Sequence, residues 1–495
     1  MQTGEEALHI IELPDEAATA AFAGDVAAGL RTGDVVALSG GLGAGKTTFA
    51  RALLRALADD PVLEVPSPTF TLVQTYSAGR LTVAHFDLYR ISTAEELDEI
   101  GFAEATEDHA VLVEWPERVG DRLPDDRLLI TFAIAGYGRR VTVTGRGSLA
   151  DRLARSRAIR GFLDRSGWPG AARRYLQGDA STRTYERIRD GARTAVLMDW
   201  PAHGQLTVGD PRSPFRAQDG RGFVAVDVAL RAAGLSAPEI YAADVVSGLL
   251  LLEDFGSEGV ITDGAPVAER YRPALEALAA IHNEERPQEL PLPDGTQRSL
   301  PRLSGEALLA EVGIFADWYA SLATGRPLSD EARAELMTIW RALDERLQAS
   351  EQSWVLFDVQ SPNLFWLPER AGIARVGFID FQDMFWGPAA YDVASLCQDA
   401  RVTISPSLEQ ELAGHYIAHR RAANPAFDTD SFAAAFATCA TLRNFKNMGA
   451  FARLAGVGNP IYAKHLPRLR AYLARSLAHP VLSPLAVWYE RHLPP

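Results

Sequence analysis

The stretch Val35 to Leu57, VVALSGGLGAGKTTFARALLRAL, constrains this chain more than any other. Val35–Leu38 is a short apolar run of the kind a buried strand needs. Ala50, Leu53, Leu54 and Leu57 then recur at helical spacing on one face. Between them stands Gly40-x-x-x-x-Gly45-Lys46-Thr47, the spacing of a phosphate-binding loop. Glycines let successive backbone N–H groups turn inward around a phosphate, and the start of the helix adds its positive end. Gly40, Gly43 and Gly45 are therefore read as the cradle. Lys46 reaches the outer phosphates, the Thr47 hydroxyl is a Mg²⁺ ligand, and Thr48 is grouped with the nucleotide-binding residues.

At 495 residues the chain exceeds one ordinary domain. Its hydrophobic fraction of 47% provides for large cores. A net charge of −15 argues against a basic nucleic-acid footprint over the whole chain. Only Cys397 and Cys439 occur, so a disulfide framework and a cysteine-rich zinc site are both excluded. The acidic N-terminus lacks the pattern of a signal peptide, and no apolar run has the length of a membrane span. The expectation is a cytoplasmic protein without a membrane partner.

In the first third, Asp15–Leu30 is patterned as a helix. The Pro66-Ser67-Pro68-Thr69-Phe70-Thr71-Leu72 stretch is an extended loop, because its prolines break any helix. The run Leu81–Phe86 ends in Asp87, and Ala110–Val113 ends in Glu114 and Trp115. In open parallel sheets, ligands bind outside the carboxyl ends of the strands. Asp87 and Glu114 are thus expected in the crevice of the phosphate loop, one holding Mg²⁺ and the other orienting water or sensing the γ-phosphate. Leu128–Ile134 and Arg140–Thr144 flank Ala135-Gly136-Tyr137-Gly138, a hairpin. The fold expected is α/β, a P-loop NTPase sheet with antiparallel additions, over residues 1–152.

GGLGAGKTTFARAL, PSPTFTL, HFDLYR and VEWPER, in that order, resemble TsaE, the small ATPase of the bacterial machinery that makes N6-threonylcarbamoyladenosine at position 37 of tRNA. The resemblance implies ATP and Mg²⁺ at Lys46 and Thr47, and Thr69 in a switch-like loop. It implies Asp87 and Glu114 serving metal and hydrolysis, with Trp115 beside the nucleotide. It also implies two protein partners, the threonylcarbamoyl transferase subunit and its paralogue, through which tRNA is contacted indirectly. One position departs: the family's usual Asp before Leu-Gly-Ala-Gly-Lys is Gly41.

Residues 153–495 are expected to form a second domain, a strand-rich small lobe ahead of a helical large lobe. Trp354–Leu364 contains Asp358-x-x-x-x-Asn363, and Gly377-Phe378-Ile379 leads into Asp380. This is the arrangement of a kinase catalytic loop. One carboxylate orients or deprotonates the acceptor hydroxyl, an amide five residues on holds Mg²⁺, and a second aspartate bridges metal and phosphates. His282 is read as a packing histidine, and Trp318, Tyr319 and Trp340 as core or partly buried. Phe385 and Trp386 are read either as a stacking platform for a sugar or as core, and Arg443 and Lys446 as a solvated face.

GDASTRTYER, AVLMDWP, LLLEDFG, DVQSPNLFW and FIDFQD followed by GPAAYDVASL resemble the aminoglycoside-phosphotransferase-like kinases, a bilobal protein-kinase-like α+β fold. Within these they resemble the N-acetylmuramate/N-acetylglucosamine anomeric kinases. The resemblance implies Asp358 as catalytic base, Asn363 and Asp380 as Mg²⁺ ligands, Glu253–Phe255 as the hinge near adenine, and a structural Asp392. The family's histidine two places before the aspartate is Leu356 here. No lysine stands in Leu197-Met198-Asp199, which leaves phosphate contact to Ser181, Thr182 or Arg183. An amino sugar is the expected acceptor. Another small alcohol (aminoglycoside, choline-like or homoserine-like) and an inactive interaction module remain as alternatives.

Overall fold

The computed structural model describes residues 8–118, 122–176, 183–201, 220–292, 294–456 and 460–493. The first unit runs β1 (His9–Leu13), α1 (Glu16–Gly29), β2 (Val35–Gly40), α2 (Lys46–Ala58), β3 (Val73–Ala78) and β4 (Leu81–Asp87). It continues through α3 (Ala94–Glu99), α4 (Phe102–Asp108), β5 (Ala110–Glu114), β6 (Arg127–Ala135) and β7 (Gly138–Arg146). Its seven strands lie in the order β1-β7-β6-β2-β5-β4-β3. Strands β6, β2, β5 and β4 are parallel neighbours, and β7, β1 and β3 add antiparallel edges. The strand residues alternate between two cores. Val36, Leu38, Ala110 and Leu112 pack toward α1 and α2, while Val35, Val111 and Val113 pack toward α3 and α4. Such burial on both faces is what makes parallel strands continuous apolar runs.

Helix α5 (Ser148–Arg165) joins the two halves without a break. Its first part (Leu149, Ala150, Leu153) belongs to the core of the first unit. Its last part (Ile159, Phe162, Leu163) packs with Trp168 on Ile188, Ala195, Leu197, Leu249 and Leu251 of the next sheet. The expected boundary at 152/153 falls inside this helix. Ion pairs seal the junction. The Asp25 carboxylate, 1% exposed, meets Arg157, Arg160 and Arg173 at 2.9–3.0 Å, and Arg173 also grips Glu186 at 2.7 Å.

The next sheet is antiparallel, built from β8 (Ala172–Leu176), β9 (Thr184–Asp190), β10 (Arg193–Asp199), β11 (Ile240–Asp244) and β12 (Leu249–Glu253) in the order β11-β12-β10-β9-β8. Helix α5 covers one face. The other carries α6 (Gly220–Ala232), whose Phe223 and Val224 share a core with Met198, Leu250 and Leu252. The large lobe follows as α7 (Ala268–His282), α8 (Glu306–Ile314), α9 (Ala320–Thr324), α10 (Asp330–Ala349), α11 (Ala390–Cys397), α12 (Pro406–Ala423), α13 (Thr429–Gly456), α14 (Leu466–Leu477) and α15 (Ser483–His492). Short strands between α10 and α11 carry the catalytic-loop motif. Tyr319 and Trp340 are buried as expected, but Trp318 is 41% exposed because it faces away from the helix packing. Among the described residues, no helix is long and apolar enough to cross a membrane.

Candidate active sites

In the first unit, β5 lies between β2 and β4, with Leu38 opposite Glu114 and Asp87 opposite Glu114. The ends of three parallel strands therefore meet where the sequence expected. The loop leaving β2 takes left-handed φ at Gly40 (136°), Gly43 (73°) and Gly45 (110°), conformations that disfavour any side chain. A Cβ at Gly40 would also stand 2.5 Å from the Phe132 carbonyl oxygen. The Lys46 ammonium folds back over this loop, donating to the carbonyls of Gly40 (2.7 Å) and Gly41 (3.0 Å). It lies 3.7 Å from the centre of the Trp115 ring. Burial lowers the Lys46 pKa against the opposing pull of Glu114, Glu117 and Asp87.

Both oxygens of Glu114, a buried residue, are engaged: Oε2 accepts from the Thr47 hydroxyl at 2.9 Å and Oε1 lies 3.0 Å from His85 Nε2. Asp87 latches the proline-rich loop, its Oδ2 accepting from Thr69 (2.6 Å) and Ser67 (3.2 Å). Arg139, from β7, ties the phosphate loop down through Ala44 O (2.9 Å) and Gly43 O (3.2 Å). Arg139 carries no motif, because it reaches the loop from β7 through sheet pairing. His85 opens the HFDLYR stretch, and its contact with Glu114 is made across the β4–β5 pairing.

In the large lobe, Gln352–Val355 pairs with Phe385–Pro388, and Leu364–Trp366 with Val376–Phe378. The second hairpin fixes Asn363 and Asp380 at adjacent strand ends, where Ile379 N donates to Asn363 O at 3.1 Å. The Asn363 amide donates to Asp358 O at 2.8 Å, closing the turn between the two motif residues. Phe357 (φ 79°) and Asp380 (φ 60°) hold left-handed backbone, strain that a surrounding structure must over-determine. At Phe357, Asp392 supplies that support by accepting from the amides of Leu356 (2.6 Å) and Phe357 (3.1 Å). Burial pushes its carboxyl up to about 7. The Leu356 side chain is itself buried at 2% exposure. The loop is thus carried by Asp392 from behind, with an apolar side chain filling the position of the family's histidine.

Arg443 and Lys446 of α13 are not a solvated face. Arg443, 4% exposed, donates to Phe357 O at 2.7 Å and stands 3.6 Å from Asp358 Oδ1. The Lys446 ammonium lies 3.3 Å from the centre of the Phe357 ring. Burial lowers its pKa against the pull of Asp358 and Glu311. A basic pair on a long helix carries no local signal of a site almost ninety positions upstream, which is why the sequence misplaced it. Phe385 is core, packed edge-on to Phe357 and Tyr391, and Trp386 is half-buried. His282 is buried, its Nδ1 2.8 Å from the Tyr416 hydroxyl, as a packing histidine would be.

The small lobe reaches this site through Arg183, whose guanidinium meets Asp380 at 2.6 Å. Ser181 and Thr182 lie outside the described residues. At the lobe junction Glu253 is ion-paired to Arg370. Phe255 lies so close over Gly377 that a Cβ there would be 2.6 Å from its ring.

Fold and sites together define an ATP-using enzyme built from two nucleotide-binding units, a P-loop ATPase and a kinase-like phosphotransferase. Residues 13–141 match the family model for threonylcarbamoyl adenosine biosynthesis protein TsaE, and residues 173–426 match that of the phosphotransferase enzyme family. The chain is 36% identical over 360 residues to an N-acetylmuramate/N-acetylglucosamine kinase of Caulobacter vibrioides, covering 69% of this chain and 97% of that one. It is 34% identical over 156 residues to the tRNA threonylcarbamoyladenosine biosynthesis protein TsaE of Rickettsia felis, covering 31% of this chain and 91% of that one. The crystal structure of YdiB from Bacillus subtilis covers 30% of this chain and 94% of its own at 31% identity, with a TM-score of 0.26. This chain belongs to the phosphotransferase enzyme family and carries a TsaE-like ATPase domain ahead of its kinase domain.

Proposed function

We propose that the second domain transfers the γ-phosphate of ATP to the anomeric hydroxyl of an amino sugar of the N-acetylmuramate or N-acetylglucosamine type. The observation that carries this reading is the cluster of Asp358, Asn363 and Asp380 on one loop and one hairpin, in a chain spanning nearly all of a sugar-kinase relative. Asp358 orients the acceptor hydroxyl and takes its proton. The hydroxyl oxygen then bonds to the γ-phosphorus as the bond to the β–γ bridging oxygen breaks and ADP leaves. The donor set suits Mg²⁺: Asp380 and Asn363 offer hard oxygens, and a cationic guanidinium from Arg183 already lies against the Asp380 carboxylate. Bound there, Mg²⁺ would neutralise charge on the phosphates. Arg183 would exchange Asp380 for a phosphate oxygen, and Glu253 and Phe255 would border the adenine.

We infer for the first domain an ATPase role in the t6A modification of tRNA. Gly40, Gly43, Gly45, Lys46, Thr47 and Thr48 would hold the nucleotide phosphates, with Trp115 beside them. Thr47 and Asp87 would hold Mg²⁺, with Thr69 in the loop that responds to the γ-phosphate. Glu114, hydrogen-bonded to Thr47 and His85, would serve hydrolysis. Its partners would be the threonylcarbamoyl transferase subunit and its paralogue. The exposed Leu42 (83%) and Phe70 (87%) on the phosphate and proline-rich loops support a partner surface there.

The test is ATP consumption by the purified chain with N-acetylglucosamine or N-acetylmuramate, beside Lys46→Ala and Asp358→Asn. A sugar 1-phosphate formed by wild type and Lys46→Ala, and lost in Asp358→Asn, is the expected result. No sugar-dependent turnover would overturn the acceptor assignment. Turnover with an aminoglycoside, choline-like or homoserine-like alcohol would reassign it, and silence with every acceptor would leave an interaction module.

A further inference from the structure

We infer that α7 and α12 carry a binding site for a zinc-class divalent metal ion, formed by Glu276, His415 and His419 and separate from both nucleotide sites. His415 and His419 are one helical turn apart, so α12 presents both imidazoles on the same face. Glu276 comes from α7, the neighbouring helix. Its Oε1 lies 2.9 Å from His415 Nε2 and 3.7 Å from His419 Nε2. The three donor atoms all fall within 4.8 Å of one another, and the two rings stand 4.7 Å apart between centres.

The helices that carry these donors are held in register on either side of the cluster. Arg272 pairs with Glu411 on one flank. On the other, His282 meets the Tyr416 hydroxyl at 2.8 Å, and Arg420 donates to Asn283 Oδ1 at 2.7 Å and to the Tyr416 hydroxyl at 2.9 Å. Successive contacts thus advance along both helices together, and the donors converge on a scaffold already fixed, which is the condition for a preorganised site. Glu276 and His415 are half-buried, while His419, with its side chain 45% exposed, is free to adjust. Tetrahedral ligation at about 2.0–2.1 Å needs donor atoms about 3.3 Å apart, a change within reach of one exposed imidazole.

Two imidazoles and one carboxylate favour Zn²⁺, Co²⁺, Ni²⁺ or Cu²⁺ over the all-oxygen preference of Mg²⁺. Three protein ligands leave a fourth position to water on the open side. Neither mechanism proposed above uses these residues. A bound ion would replace the Glu276–His415 hydrogen bond with two or three metal bonds and staple α12 to α7.

The experiment is titration of the chelator-stripped full chain with ZnCl₂ and with CoCl₂, both in excess Mg²⁺ so that the nucleotide sites do not compete. The expected result is one Zn²⁺ bound per chain, a visible d–d absorption for Co²⁺, and a melting temperature raised by Zn²⁺. His419→Ala should weaken Zn²⁺ affinity at least tenfold and abolish the Co²⁺ spectrum, with kinase turnover unchanged. Glu276→Gln should weaken binding while keeping the helix contact. Absence of a Co²⁺ d–d band in wild type, or equal Zn²⁺ affinity in wild type and His419→Ala, would overturn the assignment.

Discussion

Asp25→Asn should loosen the joint between the two domains by about 3 kcal/mol. The carboxylate is 1% exposed and accepts from Arg160 Nε and Arg173 Nη1 at 3.0 Å through Oδ1, and from Arg157 Nη1 at 3.0 Å through Oδ2. Removing one partner of a buried ion pair costs about 3–5 kcal/mol, because the remaining charge stays buried without compensation. The lower end applies here. Arg173 keeps two bonds to Glu186, at 2.7 and 2.8 Å, and Arg160 keeps the Ala171 carbonyl at 2.7 Å. The assay is native-state hydrogen exchange of the α5 amides, which reads the free energy of opening that helix. At about 1.4 kcal/mol per decade, protection should fall roughly a hundredfold. Arg157→Ala is the control. Its side chain is 32% exposed, and a pair of that kind contributes at most about 1 kcal/mol. Less than a threefold loss in Asp25→Asn, or an equal loss in Arg157→Ala, would refute the buried network as the seal between the domains.

The Asp227 carboxyl, 1% exposed, is pushed up to about 7, chiefly by burial, with Glu253 adding to the rise and Arg231 opposing it. A folded pKa above the unfolded 3.8 gives stability present below about pH 4 and lost as pH rises through about 7. Asp227→Asn should therefore exceed wild type by on the order of 4 kcal/mol above pH 7 and match it near pH 4. Urea midpoints across that range check it, and a pH-independent difference would defeat it. Lys446→Met should lower kinase kcat about ten- to a hundredfold with little change in the KM for ATP, since it removes a cation beside Asp358. Partial recovery in Lys446→Arg distinguishes charge from packing. Gly41→Asp restores the residue usual in TsaE at a position where a Cβ meets nothing within 4 Å. It should leave the melting temperature unchanged while altering ATP affinity or turnover, and a drop of several degrees would show that the loop does not accommodate it.

The sequence by itself determined those features whose chemistry is local. Glycines at fixed spacing before Lys46 dictate a loop that few other residues can form, and the strand before it and helix after it follow from periodicity over a handful of positions. The same holds for Asp358, Asn363 and Asp380, which a turn and one short hairpin bring together. Only the tertiary structure decided the rest, because those contacts join residues far apart in the chain. Arg443 and Lys446 enter the kinase site from a helix whose sequence resembles any solvated one. Asp392 holds up a strained loop from a different element, accepting from the amides of Leu356 and Phe357. Arg139 reaches the phosphate loop, and His85 reaches Glu114, across paired strands. The stretch after Gly147, where the boundary between the domains is expected, is a helix shared by two cores, since its apolar residues meet one sheet at the start and another at the end. Which partner buries each part of such a helix is set by long-range packing, which local periodicity does not carry.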